Sequence, residues 1–176
     1  RLRAEHLLSR GAIVGDSDFV DNDSDLDNYA DHGTMTLSLV AGYDPGRFVG
    51  AAWGASFLLA RTENDESERH AEEDNWAAAV EWAEAQGVDI INSSLGYRSD
   101  FTEPDQDYTF EDLDGVSTII SRAASGAVAR GVLIVNSAGN EGSLGSSSFN
   151  APADVVGLIA VGAIEDDGAI AGFSSR

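Results

Sequence analysis

Short, uninterrupted apolar runs alternate along this chain with longer segments of helical periodicity, and this alternation is the strongest constraint on its fold. Four runs predict β-strands, at residues 57–60, 88–92, 132–136 and 158–161. Strands that are apolar throughout are typical of a parallel sheet with helices on both faces. The sequence therefore predicts an α/β fold, a three-layer architecture built on a parallel sheet.

Three segments with apolar residues spaced by three and four predict the intervening helices, at residues 32–42, 72–86 and 116–130. Gly87 and Gly131 follow the second and third segments, as helix-stopping glycines do. Residues 1–20 predict a helix followed by a strand, and the acidic tract 16–31 predicts a loop. The chain has 176 residues, enough for one domain with a substantial core.

The charge balance excludes some classes of partner. The chain has 31 acidic and 10 basic residues, a formal net charge of -21, and every basic residue is arginine. Nucleic acid is an unsuitable partner because phosphate binding needs a basic surface. Such a surface fits a protein kept soluble at high salt, where screening weakens self-repulsion, or an ordinary acidic protein.

Other features of the composition limit the covalent and membrane chemistry. Cysteine is absent, which excludes disulfides and thiolate metal sites. No apolar run approaches the roughly 20 residues that a membrane span requires. The tract 16–31 is dense in aspartate and could suggest structural calcium, but it lacks the spacing and final glutamate of an EF-hand loop. A solvated loop is the preferred interpretation.

Three short motifs carry the candidate chemistry: Asp31-His32-Gly33-Thr34, Asn92-Ser93-Ser94-Leu95-Gly96 and Ser137-Ala138-Gly139-Asn140-Glu141-Gly142. His32 begins a predicted apolar helix behind Asp31, a good N-cap residue. An imidazole held at that position suits a general base, although an isolated histidine is more often structural. Asn140 follows a predicted strand and two small residues, where either a turn or a binding role is possible.

In this order, the motifs resemble those of the subtilisin-like serine proteases. The resemblance covers nearly the whole chain and implies that His32 is the general base and that the Asn140 side chain donates to the oxyanion. It also implies that Ser94, Leu95 and Gly96 bind an extended polypeptide substrate opposite Ala138 and Gly139. No organic cofactor is implied, and a secreted or cell-envelope location is favoured.

The chain departs from the family pattern in several places. Tyr97 stands where a second glycine is common, and Met35 follows Thr34 where histidine is common. The family's Gly-Thr-Ser-Met-Ala segment, which carries the nucleophilic serine, is absent from these residues. Asp16-Ser17-Asp18 resembles the family's Asp-Ser-Gly only in part and lies close to His32 in sequence. We therefore expect the orienting aspartate before residue 1, a peptidase domain incomplete at both ends, and no activity from residues 1–176 alone.

Two alternatives belong to other functional classes. A pseudoprotease or peptide-binding module would keep the cleft without ever having a nucleophile, and the downstream reading frame would distinguish it. An α/β nucleotide-binding domain is disfavoured because no glycine-rich phosphate loop joins the first strand to a helix.

Overall fold

The computed structural model describes residues 5–23, 26, 31–64, 66–102 and 104–176. The chain divides into two compact units, residues 1–65 and residues 66–176. Both are built on parallel strands joined through helices, which confirms the predicted α/β fold.

The first unit is organised around one parallel strand pair. Its elements are α1 (Glu5–Ser9), β1 (Ile13–Asp18), α2 (His32–Ala41), β2 (Tyr43–Asp44), β3 (Phe48–Val49) and β4 (Phe57–Arg61). Strands β1 and β4 pair in parallel, with Asp16 opposite Leu59 and Asp18 opposite Arg61. Strands β2 and β3 form a small antiparallel hairpin across a turn in which Gly46 has a φ of 89°.

A small apolar core holds the first unit together. Leu7, Ala12 and Ala41 are buried, and partly buried apolar side chains pack around them. The Arg10 guanidinium donates hydrogen bonds to the backbone carbonyls of Trp53, Gly54 and Ala55. These bonds tie the end of α1 to the loop that precedes β4.

The second unit is larger and contains a three-stranded parallel sheet in the order β5–β6–β7. Its elements are α3 (His70–Ala85), β5 (Ile90–Ser93), α4 (Ile119–Ala129), β6 (Leu133–Ser137) and β7 (Ile159–Val161), with short 3₁₀ turns at Phe110–Asp112 and Gly142–Leu144. Helices α3 and α4 pack against each other, and α4 also packs on β6.

The core of the second unit lies between the helices and one face of the sheet. Trp76, Val80, Ile120 and Ile134 are buried there, together with small residues that let α3 and α4 approach closely. On the opposite face, Ile90, Leu133, Ile159 and Val161 are exposed. The alternation of side chains along each strand produces this division.

The structure matches most predicted elements and corrects others. The second and third predicted helices end before Gly87 and Gly131, whose positive φ values suit a helix stop. The assignment of residues 16–31 to a loop is wrong for residues 16–18, which form the end of β1 through pairing with β4. Asp31 occupies the N-cap position of α2, but its side chain makes no capping hydrogen bond.

Candidate active site

His32 is the first residue of α2, in the first unit, and its side chain is exposed. The helix begins with a regular turn, in which the His32 carbonyl accepts a hydrogen bond from Thr36 Oγ1 at 3.0 Å. Within the described residues, the imidazole has no hydrogen-bond or ion-pair partner. Its position at the start of a helix and its exposure leave both ring nitrogens available for proton transfer.

The two carboxylates of the Asp16-Ser17-Asp18 segment have different environments. Asp16 is exposed, and among the described residues no hydrogen bond or ion pair joins it to His32. Asp18 is buried, and its Oδ2 accepts from Arg61 Nη1 at 2.6 Å. Its Oδ1 accepts from the backbone N–H groups of Val20 and Asp21. Asp18 is therefore engaged in a structural cluster and has no oxygen directed to a histidine.

The electrostatics of Asp18 follow from these contacts. Burial by itself raises the pKa of the Asp18 carboxyl. The hydrogen bonds from the Asp21 N–H, the Arg61 guanidinium and the Val20 N–H outweigh burial, and the pKa lies below its ordinary value. Arg61 also donates to Asp21 at 2.7 Å, so one guanidinium joins both carboxylates.

In the second unit, the loop that follows β6 presents Asn140 at its tip. Gly139 has a φ of 112°, a backbone conformation that favours glycine. A Cβ atom at Gly139 would lie 2.5 Å from Glu141 Oε2 and 2.8 Å from Ser175 Oγ. The sharp turn at this position therefore excludes a larger residue and directs Asn140 outward.

Hydrogen bonds from the C-terminal segment hold this loop. Ser175 N–H donates to the Gly139 carbonyl at 3.0 Å, and Gly142 N–H donates to the Phe173 carbonyl at 2.9 Å. Ser175 Oγ accepts from Glu141 N–H and donates to Glu141 Oε2, which also accepts from Asn140 N–H. The Asn140 side chain is exposed and has no protein partner among the described residues, so a fixed backbone carries an available amide.

The segment that follows β5 combines paired and unpaired backbone groups. Leu95 O accepts from Asn136 Nδ2 at 2.9 Å, and Tyr97 exchanges backbone hydrogen bonds with Ala151. In the described part of the chain, the backbone groups of Ser94 and Gly96 have no hydrogen-bond partner. An extended peptide could pair with those groups as an added strand.

Asn150 connects the two sequence motifs of the second unit, a contact that the sequence did not reveal. Its N–H donates to the Ala138 carbonyl at 3.1 Å, and Cβ atoms placed on Gly96 and Gly139 would lie 2.9 Å from its Cβ and 3.1 Å from its Nδ2. Asn150 is 7% exposed, and its Oδ1 has no partner among the described residues. No motif surrounds Asn150, so only the fold brings it to the site.

The structure thus places Gly96, Ala138 and Gly139 around Asn150, with Ser94, Leu95 and Asn140 on the same two segments of the second unit. His32 belongs to the first. Among the described residues, no group of three His, Cys, Asp or Glu side chains could hold a metal ion. Residues 24–25 and 27–30 of the aspartate-rich tract lie outside the described residues, and the structural calcium hypothesis stays a prediction. No described helix is long and apolar enough to cross a membrane.

The sequence matches the family model described as "Subtilase family" over residues 6–176. The chain belongs to the subtilase family. It is 32% identical over 165 residues to Subtilisin DY of Bacillus licheniformis, covering 93% of this chain and 54% of that protein. It is 30% identical over 178 residues to the Major intracellular serine protease of Bacillus subtilis (strain 168), covering 97% and 50%. The chain therefore spans about half the length of these relatives.

Solved structures show the same fold. The self-cleaved protease domain of PatA superposes with a TM-score of 0.62 at 28% identity, covering 83% of this chain and 49% of that one. The Prenylagaramide maturation protease PagA superposes with a TM-score of 0.65 at 24% identity, covering 97% and 62%. The resemblance to PagA concerns the fold alone. The predicted subtilisin-like family and fold are confirmed.

Proposed function

We propose that this chain supplies the general base and the oxyanion donor of a subtilisin-like serine endopeptidase. His32 takes the proton from a nucleophilic serine, and the Asn140 amide holds the oxyanion of the tetrahedral intermediate. The polypeptide substrate lies extended along Ser94–Gly96, opposite Ala138 and Gly139. The observation that carries this proposal is the available Asn140 amide on a hydrogen-bonded loop, joined through Asn150 to an unpaired backbone edge.

The physical basis is preorganisation. A donor fixed before the reaction stabilises the developing oxyanion without reorganising in the transition state. The clamp formed by Glu141 and Ser175 supports this role because it fixes the backbone on both sides of Asn140. The aspartate that orients His32 lies outside residues 1–176 in this proposal. The ion pair of Asp18 with Arg61 supports that assignment, as does the lack of a hydrogen bond or ion pair between Asp16 and His32 among the described residues.

Residues 1–176 alone should not turn over peptide, because they contain no Gly-Thr-Ser-Met-Ala segment. In subtilisin, loss of the serine lowers turnover by about 2 × 10⁶. We expect no covalent labelling when the purified 176-residue chain is treated with a serine-directed fluorophosphonate. Stoichiometric labelling mapped to a single serine would contradict both the inactivity and the placement of the nucleophile.

The role of Asn140 requires an enzyme form that also carries the nucleophile. Asn140→Ala should lower kcat by about 10²–10³, the loss that follows removal of one oxyanion donor in subtilisin. Asp16→Asn is the contrasting variant and should change kcat by no more than about threefold, since exposed charges are screened. An unchanged kcat for Asn140→Ala would overturn the donor role. A fall near 10⁴ for Asp16→Asn would instead assign Asp16 to the triad.

A further inference from the structure

Glu73 of α3 is a fully buried carboxylate that the proposed mechanism does not use. Its Oε1 accepts from the Tyr108 hydroxyl at 2.7 Å and faces His70 Nδ1 at 2.8 Å. Its Oε2 accepts from the Ile120 N–H at 3.1 Å. A buried charge needs such partners. Glu73 therefore joins α3 to both the segment 98–118 and the start of α4.

The His70 imidazole lies between two oxygen acceptors. Nδ1 faces Glu73 Oε1, and Nε2 faces the Gln106 carbonyl oxygen at 3.0 Å. A neutral imidazole has one N–H and can donate to only one of them, whereas the imidazolium donates to both. The His70 side chain is 28% exposed, so protons from solvent can reach it. The geometry fits the protonated form.

The residues held by His70 form a closed loop. Tyr108 N–H donates to the Arg98 carbonyl at 2.7 Å and closes the loop, while Thr102 N–H donates to the Glu68 carbonyl at 2.8 Å. The His70 ring lies 4.1 Å from the Phe101 ring, and Phe101 lies 6.2 Å from Tyr97. The rings of His70, Phe101 and Tyr97 therefore lie next to one another in sequence of contact, and Tyr97 is the residue that follows Gly96.

We propose that His70 is a proton-operated latch, which in its imidazolium form ties the loop 98–108 to α3 and in its neutral form releases the Gln106 carbonyl. The loop follows Ser94–Gly96 and Tyr97 in the chain. Release of the Gln106 carbonyl therefore removes one of the contacts that hold the unpaired backbone edge at Ser94 and Gly96. The consequence for peptide binding rests on the proposed function, whereas the latch itself does not.

The direction of the pH dependence follows from the number of N–H donors on the His70 ring. Both bonds exist while His70 is protonated, and one is lost when a rising pH removes a proton from the ring. Glu73 faces the His70 ring from α3 and Tyr108 faces it from the loop, while Asp105 of the loop accepts from the His70 backbone N–H and from the Arg69 side chain.

Asp105 stays ionised and Tyr108 stays neutral around neutral pH. The Arg69 hydrogen bond, followed by the His70 N–H, holds the pKa of Asp105 below its ordinary value. Burial, followed by the Glu73 hydrogen bond, raises the pKa of Tyr108, and the Ile119 N–H and the Arg122 charge oppose this rise.

Amide hydrogen exchange of the 176-residue chain tests the latch. Protection factors, which divide out the intrinsic pH dependence of exchange, should fall about tenfold for the Phe101, Thr102 and Tyr108 amides between about pH 6 and pH 8. In His70→Gln they should be lower and independent of pH. Constant protection in the wild type, or unchanged pH dependence in His70→Gln, would overturn the latch.

Two control variants and a spectroscopic measurement separate the latch from a general loss of stability. Tyr108→Phe removes a neutral donor, so it should lower protection equally at both pH values. His6→Gln changes a histidine of the other unit and should leave the loop unaffected. Independently of any variant, NMR of the wild-type His70 ring should show two protonated nitrogens at about pH 6. A single protonated nitrogen there would contradict the proposal.

A peptide titration distinguishes failure of the latch from failure of the proposed function. Acetyl-tetraalanine amide should shift the Ser94 and Gly96 amide signals and bind more weakly at about pH 8 than at about pH 6. Absence of binding at both pH values, with the exchange results as expected, would count against the proposed substrate edge and leave the latch supported. Equal binding at both pH values would overturn the coupling of the latch to that edge.

Discussion

At the scale of single residues, Asp18 shows how tertiary contacts override a local pattern. Side chains alternate between the two faces of a strand, so Asp18 should share the exposure of Val14 and Asp16 on β1. It is instead buried, because Arg61 and the turn at residues 19–21 cover the end of the strand. Arg61 lies 43 residues away in sequence, where no spacing rule connects it to Asp18.

This burial predicts an acid-sensitive contribution to the stability of the first unit. The pKa of Asp18 is lowered in the folded chain, so its stabilisation is present above the ordinary value of 3.8 and is lost as pH falls through the folded value. Asp18→Asn should lower the free energy of unfolding by about 2–3 kcal/mol at neutral pH, because Arg61 loses a buried partner. Urea denaturation at several pH values measures the difference between wild type and variant.

The control for this experiment is Asp16→Asn, which removes an exposed carboxylate from the same strand. Its effect on the free energy of unfolding should stay within about 0.5 kcal/mol. The difference between wild type and Asp18→Asn should shrink as pH falls below 3.8. Equal effects of the two substitutions, or a difference for Asp18→Asn that persists in acid, would show that Arg61 does not stabilise the charged carboxylate.

The site residues differ in how far sequence could identify them. The motif around Asn140 left a turn and a binding role both possible, and the structure places Asn140 exposed directly after the positive-φ Gly139. Asn150 and Ser175 carry no such signal, because their roles depend on hydrogen bonds to Ala138, Gly139 and Glu141 from distant parts of the chain. The catalytic roles of His32 and Asn140 stay predictions.

At the scale of secondary-structure elements, periodicity identified the long helices and central strands within a few residues. Apolar spacing and terminal glycines are local signals, and they suffice for α3, α4 and β6. The hairpin of β2 and β3 was missed because each strand has two residues, although Pro45-Gly46 is a turn signal. The loop 98–108 has no periodicity, and its shape depends on contacts with α3.

The division of the three-stranded sheet into two faces predicts unequal effects of similar substitutions. Ile134 of β6 is fully buried against the helices, whereas Ile159 of β7 is 48% exposed on the other face. Ile134→Ala should lower the free energy of unfolding by about 2–5 kcal/mol through lost burial and the resulting cavity. Ile159→Ala should cost well under half as much. Denaturant titration compares the two, and equal losses would mean that the second face is also covered in solution.

At the scale of the whole molecule, the net charge of the chain opposes association between copies, whereas its exposed apolar sheet face favours it. A formal net charge of -21 produces self-repulsion, and no lysine is present to offset it. The exposed apolar face formed by Ile90, Leu133, Ile159 and Val161 favours association. The first feature weakens with added salt because the screening length falls from about 10 Å at 0.1 M to about 3 Å at 1 M.

We therefore expect the 176-residue chain to be poorly folded or self-associating at low salt and to gain stability in molar salt. Thermal unfolding followed by circular dichroism, with light scattering for the associated fraction, should show a higher Tm at about 1 M than at about 0.1 M NaCl. Replacing the exposed Asp16 and Asp166 by asparagine removes two negative charges and should reduce that rise. A cooperative monomer with the same Tm at both salt concentrations would show that neither self-repulsion nor the exposed apolar face governs its stability.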